Sequence, residues 1–107
     1  MRLCVIPARG GSKRILKKNI KLFVGKPIIA YSIEAAIKSK CFDTIVVSTD
    51  DEEIAEVAHQ YGAETPFVRP SSLSDDYVGT IPVVKHAIEW FTEKKKNFEF
   101  VCCIYPT

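Results

Sequence analysis

A chain of 107 residues, 47% of them hydrophobic and 26% charged, has the make-up of one globular domain or part of one, which excludes disordered, collagen-like and multi-domain readings. No apolar run approaches the length of a membrane span and the amino-terminal one is too short for a secretory signal, so the expected compartment is the cytoplasm. The net charge of +2 hides a segregation: Met1 to Lys26 holds eight basic residues and no acidic one, whereas Asp43 to Asp76 holds nine acidic residues and Arg69 alone as a base, which points to an anion site in the first quarter.

The elements alternate. Leu3 to Ala8 reads as a buried strand ending at a glycine pair. Arg9 to Gly25 reads as a polar connection, after which Lys26-Pro27 opens a helix with Ile29, Ile33, Ala36 and Ile37 as its apolar stripe. Thr44 to Ser48 is a β-branched strand running into Thr49-Asp50-Asp51-Glu52-Glu53. Several cap registers are open there, and Asp50 with Glu53 fits an Asp-x-x-Glu pattern. The next helix turns Ile54, Val57, Ala58 and Tyr61 inward and stops at Gly62. Thr65 to Val68 is a possible short edge strand. A third helix is expected from about Thr80 to Lys94, with Val83, Val84, Ala87, Ile88 and Phe91 inward. Phe98 to Tyr105 is apolar enough to be a central strand. This order predicts an α/β fold with a mostly parallel sheet and helices on both faces. Ligands of such sheets bind beyond the carboxyl ends of the strands, where the loops starting at Arg9, Thr49 and Pro106 meet.

Cys4, Cys41, Cys102 and Cys103 include no C-x-x-C pair, and His59 and His86 are not spaced as zinc ligands, so buried or half-buried free thiols are expected. Neither histidine is a candidate catalyst. Trp90 and Phe91 are expected to pack a helix and not to stack a base.

Ala8-Arg9-Gly10-Gly11-Ser12-Lys13-Arg14 follows the first strand directly. Glycines there let consecutive backbone N–H groups converge on an anion, and the flanking Arg and Lys supply charge suited to a di- or triphosphate. Two familiar phosphate loops are excluded. No G-x-G-x-x-G occurs, and Gly25-Lys26 lacks the preceding Gly and following Ser or Thr of a P-loop.

These residues, with Lys18-Asn19-Ile20, Gly25-Lys26-Pro27-Ile28-Ile29-Ala30-Tyr31-Ser32-Ile33, Val47-Ser48-Thr49-Asp50 and Arg69-Pro70, resemble the cytidylyltransferases that activate nonulosonic acids. The resemblance runs through essentially the whole chain. Lys13-Arg14-Ile15 and Cys102-Cys103-Ile104-Tyr105-Pro106-Thr107 favour the pseudaminic acid branch over the N-acetylneuraminate branch.

The resemblance implies a Rossmann-like three-layer nucleotidyltransferase fold. It assigns Arg9, Gly10, Gly11, Ser12 and Lys13 to the triphosphate of CTP, with Arg9 and Lys13 as the catalytic electrostatic stabilisers. Lys18 joins the same basic loop, Asn19 contacts the ribose, and Arg69 reads the cytosine. Ser74 and the backbone around Thr80 close the base pocket, and Tyr105-Pro106-Thr107 passes under the nucleotide. Leu16 departs from the family pattern, which has Pro there; the change loosens the loop without removing a phosphate donor.

The implied reaction is attack of a sugar hydroxyl on the α-phosphorus of CTP, with loss of pyrophosphate. Mg²⁺ is the implied cofactor, with its ligands mainly beyond residue 107. The implied partners are CTP, an acidic nine-carbon sugar and a second copy in a homodimer. On this reading residues 1–107 are the nucleotide-binding part of a truncated domain, inactive alone. Asp50 is open between helix cap and site-lining residue. The alternatives are a related synthetase with another base or acceptor, and a basic nucleic-acid-binding module. The latter lacks interleaved aromatics and any nucleic-acid-binding signature, so no nucleic-acid partner is expected.

Overall fold

The apolar run near the amino terminus becomes β1 (Arg2–Pro7) of a computed structural model that describes residues 1–8, 22–73 and 79–105. Leu3, Cys4, Val5 and Ile6 are all fully buried. Period-two alternation sends Leu3 and Val5 into one apolar cluster and Cys4 and Ile6 into another. A strand covered on both faces has no need of polar alternation, which is why it reads as an unbroken apolar run.

A tight hairpin follows. β2 (Leu22–Phe23) pairs antiparallel with β3 (Lys26–Pro27) across Val24 and Gly25, whose φ values of 51° and 83° are the positive pair that a two-residue hairpin turn requires. This hairpin lies within the span expected to be an irregular connection. Its strands are too short for periodicity, and a β-branched valine at positive φ is an unfavourable turn residue that no sequence rule selects. Pro27 therefore ends β3 and stands as the N-cap of α1 (Ile28–Ser39), one residue before the expected helix position. Ile29, Ala30, Ile33 and Ala36 are its buried face, whereas the expected fourth member, Ile37, is exposed.

β4 (Thr44–Ser48) pairs parallel with β1, and α2 (Glu52–Gln60) follows it. The cap of α2 is Asp51. Its Oδ1 accepts from the backbone N–H of Glu53 at 2.8 Å and of Ile54 at 3.1 Å, so the Asp50–Glu53 register is not adopted. Gly62, at φ 103°, provides the expected stop. The expected edge strand at 65–68 does not form; a single parallel bridge precedes it, in which the Glu64 carbonyl accepts from Val47 N–H and the Glu64 N–H donates to the Ile45 carbonyl.

α3 (Thr80–Glu93) buries Val83, Ala87 and Phe91 with Val84 and Ile88 packed beside them, as the stripe predicts. β5 (Phe100–Cys103) pairs parallel with β1. Among the described residues the sheet order is β4-β1-β5, with β1 between its two parallel partners. Phe100 is 64% exposed there.

Three layers result. α1 and α2 supply Ile29, Ile33, Ala36, Ile54 and Ala58 to the cluster on one face, and α3 supplies Ala87 and Phe91 on the other. Each fully buried Leu, Ile or Val side chain contributes roughly 1.5–3 kcal/mol from removal of its surface from water. Phe67, Trp90, Phe91 and Phe98 continue the second cluster through ring contacts with centroids 5.1–5.6 Å apart, so Trp90 and Phe91 are packing residues. The amino end of the sheet is tied by Asp43 N–H to the Arg2 carbonyl and Glu99 N–H to the Met1 carbonyl, both 2.9 Å. No helix of the described residues is long and apolar enough to cross a membrane.

Candidate nucleotide-binding site

The parallel sheet brings Ala8, Ser48 and Tyr105 to one rim, at the carboxyl ends of β1, β4 and β5. α3 ends near Phe98 and the amino end of the sheet, so its first residue, Thr80, lies toward the same rim. Topology thus gathers four chain segments, from residues far apart in sequence, where α/β sheets hold their ligands.

Ser48 and Arg69 anchor this rim at the end of β4. Ser48 is fully buried, and Arg69 is only 4% exposed although it carries a guanidinium. A charge that far from water is tolerated only with its N–H groups bonded. Arg69 Nε donates to Ser48 Oγ at 3.2 Å and Nη2 donates to the Ser48 carbonyl at 2.6 Å. Nη1 donates to the Leu73 carbonyl at 3.3 Å, and the Arg69 backbone N–H donates to the Thr49 carbonyl at 2.9 Å. The Ser48 carbonyl also accepts from Ala8 N–H at 2.9 Å, using the second acceptor position that a carbonyl offers. One residue therefore fastens both the exit of β1 and the guanidinium of Arg69. Arg69 is therefore not a surface arginine.

Around Arg69 the chain turns tightly. Residues Ser71–Leu73 form a single 3-10 turn, with Leu73 N–H donating to the Pro70 carbonyl at 2.9 Å. Thr49, itself buried, accepts from Asp51 N–H through Oγ1 at 3.1 Å and so joins the β4 end to the α2 cap. Asp50 stands exposed at the rim between these two residues and is not the cap.

Of the other sequence-predicted residues, Thr80 is the first residue of α3, behind Gly79 as N-cap. Tyr105 is 55% exposed just past β5 among the described residues. Ile104 N–H still donates to the Val5 carbonyl at 3.0 Å, so the chain runs alongside β1 as it reaches that tyrosine. Arg9, Gly10, Gly11, Ser12, Lys13, Leu16, Lys18, Asn19, Ser74, Pro106 and Thr107 lie outside the described residues.

Two members of the basic segment work elsewhere. The Arg2 guanidinium lies over the Phe100 ring at 5.9 Å, at the opposite end of the sheet. Lys26 Nζ bonds Glu34 at 2.6 Å, and that hydrogen bond, ahead of the other influences, raises the lysine pKa. The charge asymmetry therefore overstated the anion site by these two residues. Ser48 and Thr49 are what the sequence reading missed as a polar anchor. The available signal was a Ser-Thr pair closing an otherwise apolar strand at its carboxyl end.

The thiols lie apart from this anchor. Burial first, then the neighbouring Cys102 and Cys103, push the Cys4 thiol up to about 12, so it is inert at neutral pH. Cys41 and Cys102 are exposed, which corrects the expectation that all four are buried or half-buried. His86 packs its ring edge against Phe67 at 4.9 Å. Among the described residues no three His, Cys, Asp or Glu side chains converge as a metal-binding group.

A family of cytidylyltransferases matches residues 3–105. Pseudaminic acid cytidylyltransferase of Campylobacter jejuni is 57% identical over 105 residues, covering 98% of this chain. CMP-N,N'-diacetyllegionaminic acid synthase of Legionella pneumophila is 46% identical over the same length and share. This chain spans 45% of the length of each of those two relatives. The solved CMP:2-keto-3-deoxy-manno-octonic acid synthetase in complex with CTP superposes with a TM-score of 0.75 at 26% identity, over 98% of this chain and 39% of that one. The match over residues 3–105 and the parallel sheet agree, and the chain belongs to the cytidylyltransferase family.

Proposed function

We propose that this chain forms the CTP-binding part of an enzyme that transfers CMP from CTP to a nonulosonic acid, pseudaminic acid first, with release of pyrophosphate. The observation that carries the reading is the 57% identity to a pseudaminic acid cytidylyltransferase through 98% of the chain, against 46% to a legionaminic acid synthase. The buried Arg69 at the carboxyl rim supports the base side of the same reading.

In this mechanism an acceptor hydroxyl attacks the α-phosphorus in line, and the bond to pyrophosphate breaks on the opposite side. Negative charge grows on the phosphoryl oxygens. Arg9 and Lys13 stabilise that charge, while the backbone N–H groups of Gly10, Gly11 and Ser12 hold the phosphates in place. Lys18 adds positive potential and Asn19 holds the ribose. Arg69 takes the cytosine, with Ser74 and the start of α3 at Thr80 closing the base pocket. Tyr105, Pro106 and Thr107 support the nucleotide from below. Magnesium, held mainly by residues beyond 107, would supply counter-charge to the phosphate oxygens. The enzyme works in the cytoplasm as a homodimer and has no nucleic-acid partner.

Pyrophosphate release by the whole enzyme tests the reading, with CTP, UTP and GTP offered in turn and pseudaminic, legionaminic and N-acetylneuraminic acids as acceptors. CTP with pseudaminic acid is expected to give the highest kcat/KM. Preference for UTP or GTP removes the cytosine assignment, and preference for another acceptor moves the chain to a different branch. Tight oligonucleotide binding that CTP does not displace would overturn the reading as a whole.

A further inference from the structure

We infer that Ser48 is a positioning residue for the base side of the nucleotide site and acts through Arg69; the inference rests on the CTP reading above. β4 brings Ser48 to the carboxyl rim with no exposed surface, where a hydroxyl and a carbonyl are unfavourable unless bonded. Both are used on one side chain. The Nε–H and one Nη2–H lie on the same edge of the guanidinium, and that edge meets Ser48 Oγ at 3.2 Å and the Ser48 carbonyl at 2.6 Å. This is the two-pronged geometry with which arginine recognises paired oxygens. Nη1 adds the contact to the Leu73 carbonyl.

A free arginine side chain carries roughly 2 kcal/mol of rotamer entropy. Here the plane of the guanidinium is set before any ligand arrives, so binding does not have to order it. The shared carbonyl extends the effect. Ala8 N–H bonds the same oxygen, and Ala8 is the last residue before the Arg9-Gly10-Gly11 loop. Ser48 thus registers the base side against the entry to the phosphate loop. A residue with only a packing role there would have no need of a hydroxyl, which burial penalises unless it is bonded.

The test is a double-mutant cycle of S48A and R69K in the full chain, read by calorimetric titration with CTP and with UTP. S48A keeps the carbonyl that Ala8 uses and removes only the Oγ acceptor. S48A alone is expected to weaken CTP about tenfold, a loss of the size a single hydrogen bond to a charged group supplies, and to narrow the CTP-to-UTP preference. In the R69K background S48A should change CTP binding by less than about twofold. S48C, which retains volume with a weaker acceptor, should fall between wild type and S48A and covers the case of a poorly folding alanine variant. CTP preference at the wild-type level in S48A and S48C, or losses from S48A and R69K that simply multiply, would overturn the inference. A fall in melting temperature with unchanged CTP-to-UTP preference also overturns it, since that is a packing role alone. A wild-type chain with no preference for CTP sinks the underlying reading instead, and in that case faster hydrogen exchange at Arg69 Nε–H in S48A still decides whether Ser48 fixes the guanidinium.

Discussion

Replacing Asp51 by alanine removes one oxygen that serves two backbone donors at the start of α2, Glu53 N–H at 2.8 Å and Ile54 N–H at 3.1 Å. Water can reach the first of these, whereas the second is part-buried and loses its partner outright. N-cap losses run from about 0.5 to 2 kcal/mol, and the part-buried donor puts this one toward the upper half, about 1.5 kcal/mol. For a chain of 107 residues, with an unfolding entropy of roughly 2.1 cal/mol/K per residue, that loss lowers Tm by about 7 °C. Asp51→Asn keeps the acceptor and loses only the interaction of the charge with the helix end, about 0.3–1 kcal/mol. Asp50→Ala leaves both Asp51 bonds in place and should cost less than Asp51→Ala. Urea and thermal unfolding followed by circular dichroism give the three values under one set of conditions. A loss from Asp50→Ala equal to or larger than that from Asp51→Ala would refute the cap register and restore the alternative pairing of Asp50 with Glu53.

Other consequences follow from single residues. Gly62→Ala places a Cβ 3.0 Å from Ile37 Cδ1 at φ 103°, whereas Gly25→Ala at φ 83° meets nothing within 4 Å. Both carry a backbone penalty of roughly 1–2 kcal/mol, so denaturant unfolding should rank Gly62→Ala as the more damaging. Thiol labelling of the native chain at pH 8 should modify Cys41 and Cys102 first, with Cys4 reacting only on unfolding. The Cys4 thiol is raised from 9.0 to about 12, so the folded state holds its proton longer than the unfolded state does. The contribution of this group is therefore complete below pH 9 and declines as pH rises from there toward 12, which alkaline unfolding of a Cys4→Ala variant, flatter than wild type, would reveal. Arg9→Ala and Lys13→Ala in the whole enzyme are each expected to lower kcat/KM for CTP at least about a hundredfold, the size of loss typical for one transition-state donor; normal turnover in both would exclude their catalytic role.

Much of the architecture was legible because its causes are local. Unbroken apolar runs at Leu3–Ile6 and Thr44–Ser48 and apolar stripes at helical spacing in α2 and α3 state which faces must be buried, and the alternation of the two element types leads to a layered parallel sheet. The β2–β3 hairpin escaped because two-residue strands carry no period and Val24-Gly25 lacks the usual turn chemistry. The Asp51 cap was one of several equivalent carboxylates in a row, and only the backbone geometry at the end of β4 chooses among them. Of the candidate site, Arg69, Thr80 and Tyr105 lie at or toward the rim that strand order predicts. The surroundings of Arg69 were not legible, since a single arginine before a proline reads the same whether buried or exposed.

By itself, then, the sequence determined the layered α/β class and, through its motif residues, the kinship with cytidylyltransferases. These depend on neighbours in the chain, and neighbours are what a sequence displays. The burial of Arg69, its grip on Ser48 21 residues earlier, and the bond that ties Ala8 to the same carbonyl were decided only in three dimensions. A hydrogen bond between distant segments exists once the sheet has brought their ends together, and no local propensity encodes which oxygen a buried guanidinium will meet.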